Sequence, residues 1–308
     1  MPPFRLGLVG AGRMGRTHLR ALAGSEQVAV TAIAEMSAAA RAAVSAPGVT
    51  LHASTAEMLE TAALDGVLIA APTDQHGAII AEVAAHGLPV LCEKPCGLTA
   101  AAARASARAA AVAGVPLQVA YWRRFVPGLQ RLHDQIAAGE LGTIHLITCY
   151  QWDEQPPPAA FRAHSGGIAI DMGVHEFDQL RWLTGQDISR LATVASGPAP
   201  EGIADVDGAQ VIATLSGGAT GFVSLGRYYP AGDAVWAEVF GTRGAERCDV
   251  IDPAEGERAQ LQALRRQAES FAGFARGAPC AGATADDAIA ALAAAEQVTA
   301  AIPEMAAT

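Results

Sequence analysis

The sequence predicts an α/β chain, with a doubly wound parallel sheet at the N-terminus followed by an α+β domain built on an open, mainly antiparallel sheet. Three observations carry this expectation. Over the first 120 residues, short β-branched runs alternate with longer alanine-rich segments of helical spacing, as a parallel sheet covered by helices requires. A glycine triplet stands between the first strand and the first helix. From Tyr121 the texture changes to strand-like runs separated by Gly, Pro and Asp, mostly with no helical pattern between them. The expected division is therefore 1–120 and 121–308.

In the first part, strands are expected at Arg5–Val9, Val28–Ala34, Val67–Ala70, Val90–Cys92 and Leu117–Ala120. Helices are expected near Met14–Ala23, Ser37–Ser45, Gln75–His86 and Thr99–Ala113. The last of these is nearly all alanine, the best helix former, and its two arginines keep it soluble. In the second part a helix ends near Gly139, and strand-like runs follow at "IHLITCYQW", Leu191–Ser196, Gln210–Leu215, Gly221–Leu225 and Ala237–Phe240. A proline loop, Pro156–Pro158, interrupts them, and two helices, about Pro253–Arg276 and Asp286–Ile302, close the chain.

At 308 residues and 51% hydrophobic content, the chain has enough apolar material for two medium domains. A net charge of −10 without any Lys/Arg-rich run speaks against a nucleic-acid backbone or an anionic membrane as the main partner, and favours a small molecule. No stretch approaches the ~20 apolar residues that span a bilayer, and the N-terminus lacks the features of a secretory signal, so a cytoplasmic protein is expected. The five cysteines have no even framework and no zinc spacing, which reads as reduced thiols. His18, His76 and His164 make no metal-ligand pattern, so no metal site is expected.

Three segments carry chemistry. The first is Gly10-Ala11-Gly12-Arg13-Met14-Gly15, directly after the strand "RLGLV" and directly before a helix. The first glycine permits the tight turn, the second lets backbone approach a pyrophosphate, and the third allows close helix packing on the strand. Glu35 follows twenty residues after Gly15 at the carboxyl end of the second strand, where a carboxylate accepts hydrogen bonds from ribose hydroxyls. The two together point to a dinucleotide, against an S-adenosylmethionine site or a plain structural turn. A carboxylate there repels a 2′-phosphate, and Met36 and Ser37 follow it where an arginine would serve NADP. NAD is the expected cofactor, with Ser37 leaving NADP open.

The second segment is Cys92-Glu93-Lys94-Pro95 at the carboxyl end of the strand that begins at Val90. Pro95 fixes its own φ and disfavours helix at Lys94, so the lysine is held by a constrained backbone at the edge where ligands collect. The plainer reading is a surface lysine at a strand-to-helix turn. The third segment, "SGGIAIDMGVHEFDQLRWLTG", runs from Ser165 to Gly185. Asp171 and His175 stand four residues apart and Asp178 three further on, so a continuous helix would put all three on one face, among apolar neighbours. A carboxylate beside an imidazole holds its tautomer and steadies its protonated form, which makes a competent general base. The alternative is a helix cap with an exposed histidine. Gln179 rules out an HExxH motif at His175.

With these segments the sequence resembles the glucose-fructose oxidoreductase/inositol dehydrogenase (Gfo/Idh/MocA) family over nearly its whole length. "GLVGAGRMGRTHLRAL", "APTDQHGAIIAEVAAHGLPVLCEKP", "YWRRFVPGLQRL" and the Ser165–Gly185 segment stand in the family's order and spacing. The resemblance implies a Rossmann domain binding NAD(P), a C-terminal domain that forms the substrate wall, and a homo-oligomer, dimer or tetramer. It implies that Lys94 orients the reacting hydroxyl, that His175 is the acid/base, and that Asp171 completes the triad. Arg123 and Asp178 fall where inositol dehydrogenases touch substrate, and Thr73, His76, Glu93 and Pro95 fall near the cofactor, which Arg13 and Met14 are expected to meet as members of the glycine segment. A cis peptide before Pro95 is common in the family.

The sequence departs from the inositol dehydrogenase pattern at Trp122 and at Phe125-Val126, where methionine and a tyrosine–acid pair are usual. The loop Gln151–Ser165, with Trp152, Asp153, Arg162 and the candidate substrate residue His164, would shape a different pocket. The expected activity is NAD-dependent oxidation of a secondary alcohol of a cyclic polyol or sugar, myo-inositol-like. The alternatives are an aldose C1 dehydrogenase of the same family and a non-catalytic NAD-binding sugar sensor.

Overall fold

The computed structural model describes residues 2–198, 205–254 and 257–306, and the chain divides into two compact units. The first comprises Met1–Phe125 with Leu261–Ile289, the second Val126–Gln260 with Ala290–Thr308. A linear cut after residue 120 assigns 261–289 to the second domain, whereas these residues pack with the first.

In the first unit β1 (Phe4–Val9), β2 (Val28–Ala34), β3 (Thr50–His52), β4 (Gly66–Ile69), β5 (Val90–Glu93) and β6 (Leu117–Ala120) form a parallel sheet. With the two-residue Ala283–Thr284 (β13) antiparallel on β6, the order is β13-β6-β5-β4-β1-β2-β3. The connecting helices are α1 (Arg13–Leu22), α2 (Ala38–Ala42), α3 (Thr55–Thr61), α4 (His76–Ala85) and α5 (Ala100–Ala113). Strand order reverses between β1 and β4, the switch point at whose carboxyl end an open α/β sheet binds ligands. Leu6, Leu8, Ile33, Leu68 and Leu91 fill the core without exposure, which is why these strands read as continuous apolar runs. Thr99 caps α5 by accepting the Ala102 N–H, and Gly114 ends it in the left-handed conformation.

The late helix α9 (Arg258–Ala275) is tied to this unit by its side chains. Phe271 packs edge-on against Phe4 with centroids 5.9 Å apart, Arg265 Nε donates to the Ala21 carbonyl at 2.7 Å, and Ser25 donates to Glu269 at 2.7 Å.

The second unit is built on six strands: β7 (Ile144–Asp153), β8 (Ile188–Pro198), β9 (Val206–Leu215), β10 (Thr220–Arg227), β11 (Ala234–Gly241) and β12 (Ala245–Ile251). Their order is β12-β11-β7-β10-β9-β8, antiparallel throughout except for the parallel pair β7–β10. The helices α6 (Pro127–Ala137), α7 (Ala159–Arg162) and α8 (Val174–Thr184) belong to it, and α10 (Ala285–Ala306) closes the chain. One face of the sheet takes α8. A Cβ at Gly221 would strike Leu180, and Gly173 packs on Leu225, so Gly221, Val223, Leu225 and Arg227 of β10 face the helix. By register Ile147, Cys149, Gln151 and Asp153 of β7 share that face. On the other face Tyr150 and Trp236 stack at 4.4 Å, and Val194 and Ile212 are 60% and 56% exposed.

Candidate active site

In the first unit, the predicted cofactor residues collect at the carboxyl ends of β1, β2, β4 and β5. Gly10 has φ +91°, and a Cβ there would lie 2.7 Å from the Ala70 carbonyl oxygen, while one at Gly15 would collide with the Gly10 carbonyl. At Gly12 a Cβ would meet nothing within 4 Å, so the loop has open space where a pyrophosphate approaches. Gly12 also caps α1 without a side-chain hydrogen bond, which leaves first-turn N–H groups for an anion. Arg13 is exposed and Met14 half-buried on this turn. Glu35 accepts the Ala11 N–H at 2.8 Å through Oε2 and the Ser37 N–H at 2.8 Å through Oε1, so it already lies against the glycine loop. The loop and its carboxylate thus fit a dinucleotide.

Thr73 is half-buried in the 3-10 turn Thr73–Gln75, and His76 is buried at the start of α4. The imidazole of His76 lies 2.8 Å from the Pro95 carbonyl oxygen through Nδ1 and 2.8 Å from that of Ala71 through Nε2, so it ties the loop after β4 to the loop after β5. Glu93 is buried, with Oε1 2.7 Å from His18 Nε2 and Oε2 accepting the Lys94 N–H at 3.1 Å. His18, on the buried side of α1, is a partner that the sequence reading missed. Glu93 and His18 thus fix the backbone at Lys94, and the Lys94–Pro95 peptide is cis, as the resemblance implied. The Lys94 side chain is half-buried.

Burial pushes the Cys92 thiol well up, with Cys96 and Glu93 adding to it, and pushes Cys96 to about 12. All five cysteines are free. Arg123 lies in the turn Trp122–Phe125 that follows β6, buried, with its guanidinium 6.0 Å from the Trp122 ring centroid. Its neighbour Arg124 pairs with Asp287 at 3.3 Å.

In the second unit, the segment before α8 is not one continuous α-helix. Residues Ala169–Gly173 form a π-helical turn, and Asp171 sits in it, four residues ahead of His175 at the start of α8. The single shared helical face expected from spacing is therefore wound more widely at Asp171. Gly166 and Gly167 precede the turn at φ +83° and +84°, and a Cβ at Gly166 would press on Ile170 at 2.9 Å. His175 is 5% exposed and Asp178 1%, and Glu176 and Gln179 are buried on the same helix, so the exposed-histidine alternative is overturned. His164 is exposed, two residues beyond a buried arginine, Arg162.

The end of the α8-bearing sheet face holds a group that the sequence reading did not assemble. Asp153, last in β7, is the register partner of Arg227, last in β10. Burial raises the Asp153 carboxyl to about 6; Gln151 pulls it back, Asp233 and Asp171 push it further, and Arg227 opposes them. Because its folded value stands above its unfolded one, stability is unaffected below about pH 4, falls as pH rises to about 6, and stays reduced above that. Asp153→Asn is expected to raise stability by up to ~3 kcal/mol at pH 8, the amount implied by a shift of about two units, and to make little difference at pH 4. Denaturation midpoints at the two pH values check this.

No group of His, Cys, Asp or Glu among the described residues could hold a metal ion, and no helix among them is long and apolar enough to cross a membrane.

A dinucleotide loop on a doubly wound sheet, joined to a sheet domain that buries a histidine, defines an NAD-binding oxidoreductase of two-unit build. Residues 4–121 match the oxidoreductase family with an NAD-binding Rossmann fold, and residues 129–246 match the GFO/IDH/MocA C-terminal domain. The chain belongs to the Gfo/Idh/MocA oxidoreductase family. It is 50% identical to the rhizopine catabolism protein MocA of Rhizobium meliloti over 301 residues, covering 97% of this chain and 95% of that protein. It is 33% identical to inositol 2-dehydrogenase of Rhizobium meliloti strain 1021 over 246 residues, covering 78% and 74%. A crystal structure of a putative myo-inositol dehydrogenase from Sinorhizobium meliloti 1021 superposes with TM-score 0.89 at 29% identity, covering 98% of each chain.

Proposed function

We propose that this chain is an NAD-dependent dehydrogenase that oxidises a secondary alcohol of a cyclic polyol or sugar. The observation that supports it most is the buried imidazole of His175 at the start of α8 with a carboxylate, Asp171, one turn ahead. Bound NAD supplies the hydride acceptor, and the glycine loop and Glu35 are the residues that would hold it. His175 takes the hydroxyl proton as the C–H bond is broken, Asp171 steadies the imidazolium that results, and the Lys94 ammonium offsets negative charge on the substrate oxygen. General-base help of this kind is worth ~10²–10⁴ in rate. Arg123, Asp178 and His164 are assigned to substrate hydroxyls, and Thr73, His76, Glu93 and Pro95 to the cofactor side.

The name of one relative, inositol 2-dehydrogenase, favours a cyclitol-type substrate, while the more similar rhizopine catabolism protein leaves the particular polyol open. Assembly as a homo-oligomer belongs to the same reading, supported by the apolar residues left on the open sheet face, Val194 and Ile212 among them.

Initial rates of NAD⁺ and NADP⁺ reduction across inositols, aldoses and sugar acids at mildly alkaline pH test the proposal. Turnover of a cyclitol to a ketone, with NAD⁺ preferred, is expected. An aldonolactone product would transfer the chain to the C1-dehydrogenase alternative. Silence across the panel, with NAD binding seen as a thermal shift, would support the sensor.

A further inference from the structure

Five charges alternate in sign beside the sheet face that carries α8, the outer two, Asp207 and Asp171, half-buried and the inner three with buried side chains. Arg162 donates through Nη1 to Asp207 at 2.8 Å and through Nε to Asp205 at 3.0 Å. Asp205, 1% exposed at its side chain, also accepts the Ile168 N–H at 2.8 Å, just before the π-helical turn, and lies 3.5 Å from Arg227 Nη2. The same Nη2 lies 3.9 Å from Asp171 Oδ2. The sequence of charges is thus Asp207, Arg162, Asp205, Arg227, Asp171, and its last member is the carboxylate assigned to the triad.

Arg227 is the unusual member. Its side chain is wholly buried, and Nε, Nη1 and Nη2 have no hydrogen-bond partner among the described residues. A buried guanidinium with carboxylates at 3.5 and 3.9 Å and no hydrogen bond among the described residues is a poor stabiliser, since desolvation is offset by attraction alone. The next residue, Tyr228, has φ +78°, a conformation costly for a bulky side chain, so the chain is constrained where β10 delivers this arginine. The groups facing it are Asp153 from β7, Asp171 from the π-helical turn and Asp205 from the segment leading into β9.

We propose that Arg227 is a positioning residue that holds Asp171 in register ahead of His175, while the Arg162–Asp205 pair anchors both Arg227 and the Gly166–Gly167 turn. The proposal rests on the reading of His175 as the base and Asp171 as its orienting carboxylate. The hydrogen bonds of Asp205 fix where the turn starts, and the charge of Arg227 fixes where its carboxylate points. A point attraction suffices for this, because a carboxylate in a low-dielectric site is steered by charge at 4 Å.

The test uses full-length Arg227→Met, Arg227→Lys, Asp171→Asn and the Arg227→Met/Asp171→Asn double variant, assayed with NAD⁺ and the panel polyol of highest kcat/KM. Arg227→Met is expected to lower kcat ~10²-fold, within the range of lost acid–base assistance, with NAD affinity and Tm not reduced. Arg227→Lys, which keeps the charge, recovers kcat to within about tenfold of wild type. The double variant is no slower than Asp171→Asn alone, because the arginine acts through that carboxylate. Nitrogen-15 histidine spectra, with the His175 signal assigned by its loss in His175→Gln, show a changed tautomer population in Arg227→Met and not in Arg227→Lys.

If Arg227→Met fails to fold, Asp205→Asn takes its place and is expected to lower kcat about tenfold, again without a further effect on Asp171→Asn. Multiplicative losses in the double variant, or an unchanged His175 signal in Arg227→Met, overturn the proposal. The underlying reading fails separately, through an active His175→Ala enzyme. An inactive His175→Ala with a near-normal Arg227→Met sinks the positioning role alone.

Discussion

His175→Ala is expected to lower kcat for polyol oxidation by ~10³-fold while NAD affinity stays within about twofold of wild type. The two effects separate because the cofactor loop, Glu35 and the His76–Pro95 tie lie in the first unit, whereas His175 lies in the second, on α8. Oxidation needs the imidazole neutral to accept the hydroxyl proton, so the wild-type rate climbs with pH on the acid side of its profile. In His175→Ala that limb disappears, and the residual rate follows hydroxide instead. Steady-state rates from pH 5 to 10, with NAD titrated by fluorescence, check both halves. The folding control is the Tm: His175 is 5% exposed, so a substitution that leaves a cavity costs stability without touching the cofactor titration. A turnover near wild type would leave His175 as a buried structural histidine and remove the base from the proposed chemistry.

Much of the first unit was legible in the sequence, because its strands are buried on both faces and read as apolar runs bounded by glycine. Val28–Ala34 and Leu117–Ala120 are observed with the expected bounds, and the other three expected strands differ by a residue or so. The strand β3 was missed because its three residues, Thr50, Leu51 and His52, include two that are exposed and carry no pattern. The strand β12 was missed because Ala245, Glu246 and Arg247 are exposed at the sheet edge, so only Cys248 and Val250 signal a buried side. The return of α9 to the first unit depends on contacts such as Phe4–Phe271, which no linear reading of composition exposes.

The candidate site was legible where a motif occupies a few consecutive residues. The glycine loop with Glu35, the lysine before Pro95, and Asp171 with His175 all lie in short segments whose residue types have a stated use. What supports them was not legible. His18 reaches Glu93 across 75 residues, and Arg162 reaches Asp205 across 43. The sequence separates these charges by strands and turns, and only strand register brings Asp153 and Arg227 side by side. The π-helical turn at Asp171 also leaves no periodic signature, since its five residues mix apolar and acidic side chains as an α-helix would.

Lys94→Ala tests the other half of the proposed chemistry, and its expected loss in kcat is ~10²–10³-fold, the scale of removing one charged donor from a developing oxyanion. The structure gives this lysine an unusually determined backbone: its N–H is held by Glu93 at 3.1 Å, Glu93 is held by His18 at 2.7 Å, and Pro95 is fixed through its carbonyl to His76 at 2.8 Å. A lysine at an ordinary surface turn needs no such support, and its removal would change rate by less than about twofold. Lys94→Arg keeps the charge but replaces a compact ammonium with a planar fork, so it is expected to recover only part of the rate. Added ethylamine should restore activity to Lys94→Ala in proportion to its concentration, and leave His175→Ala unaffected. That pattern separates a missing ammonium from a disturbed loop, because a small amine replaces a charge and cannot rebuild the backbone around Pro95. Lys94→Ala with full activity, or with loss that no amine repairs and a lowered Tm, would assign the residue to the architecture of the β5 loop instead of to the reacting hydroxyl.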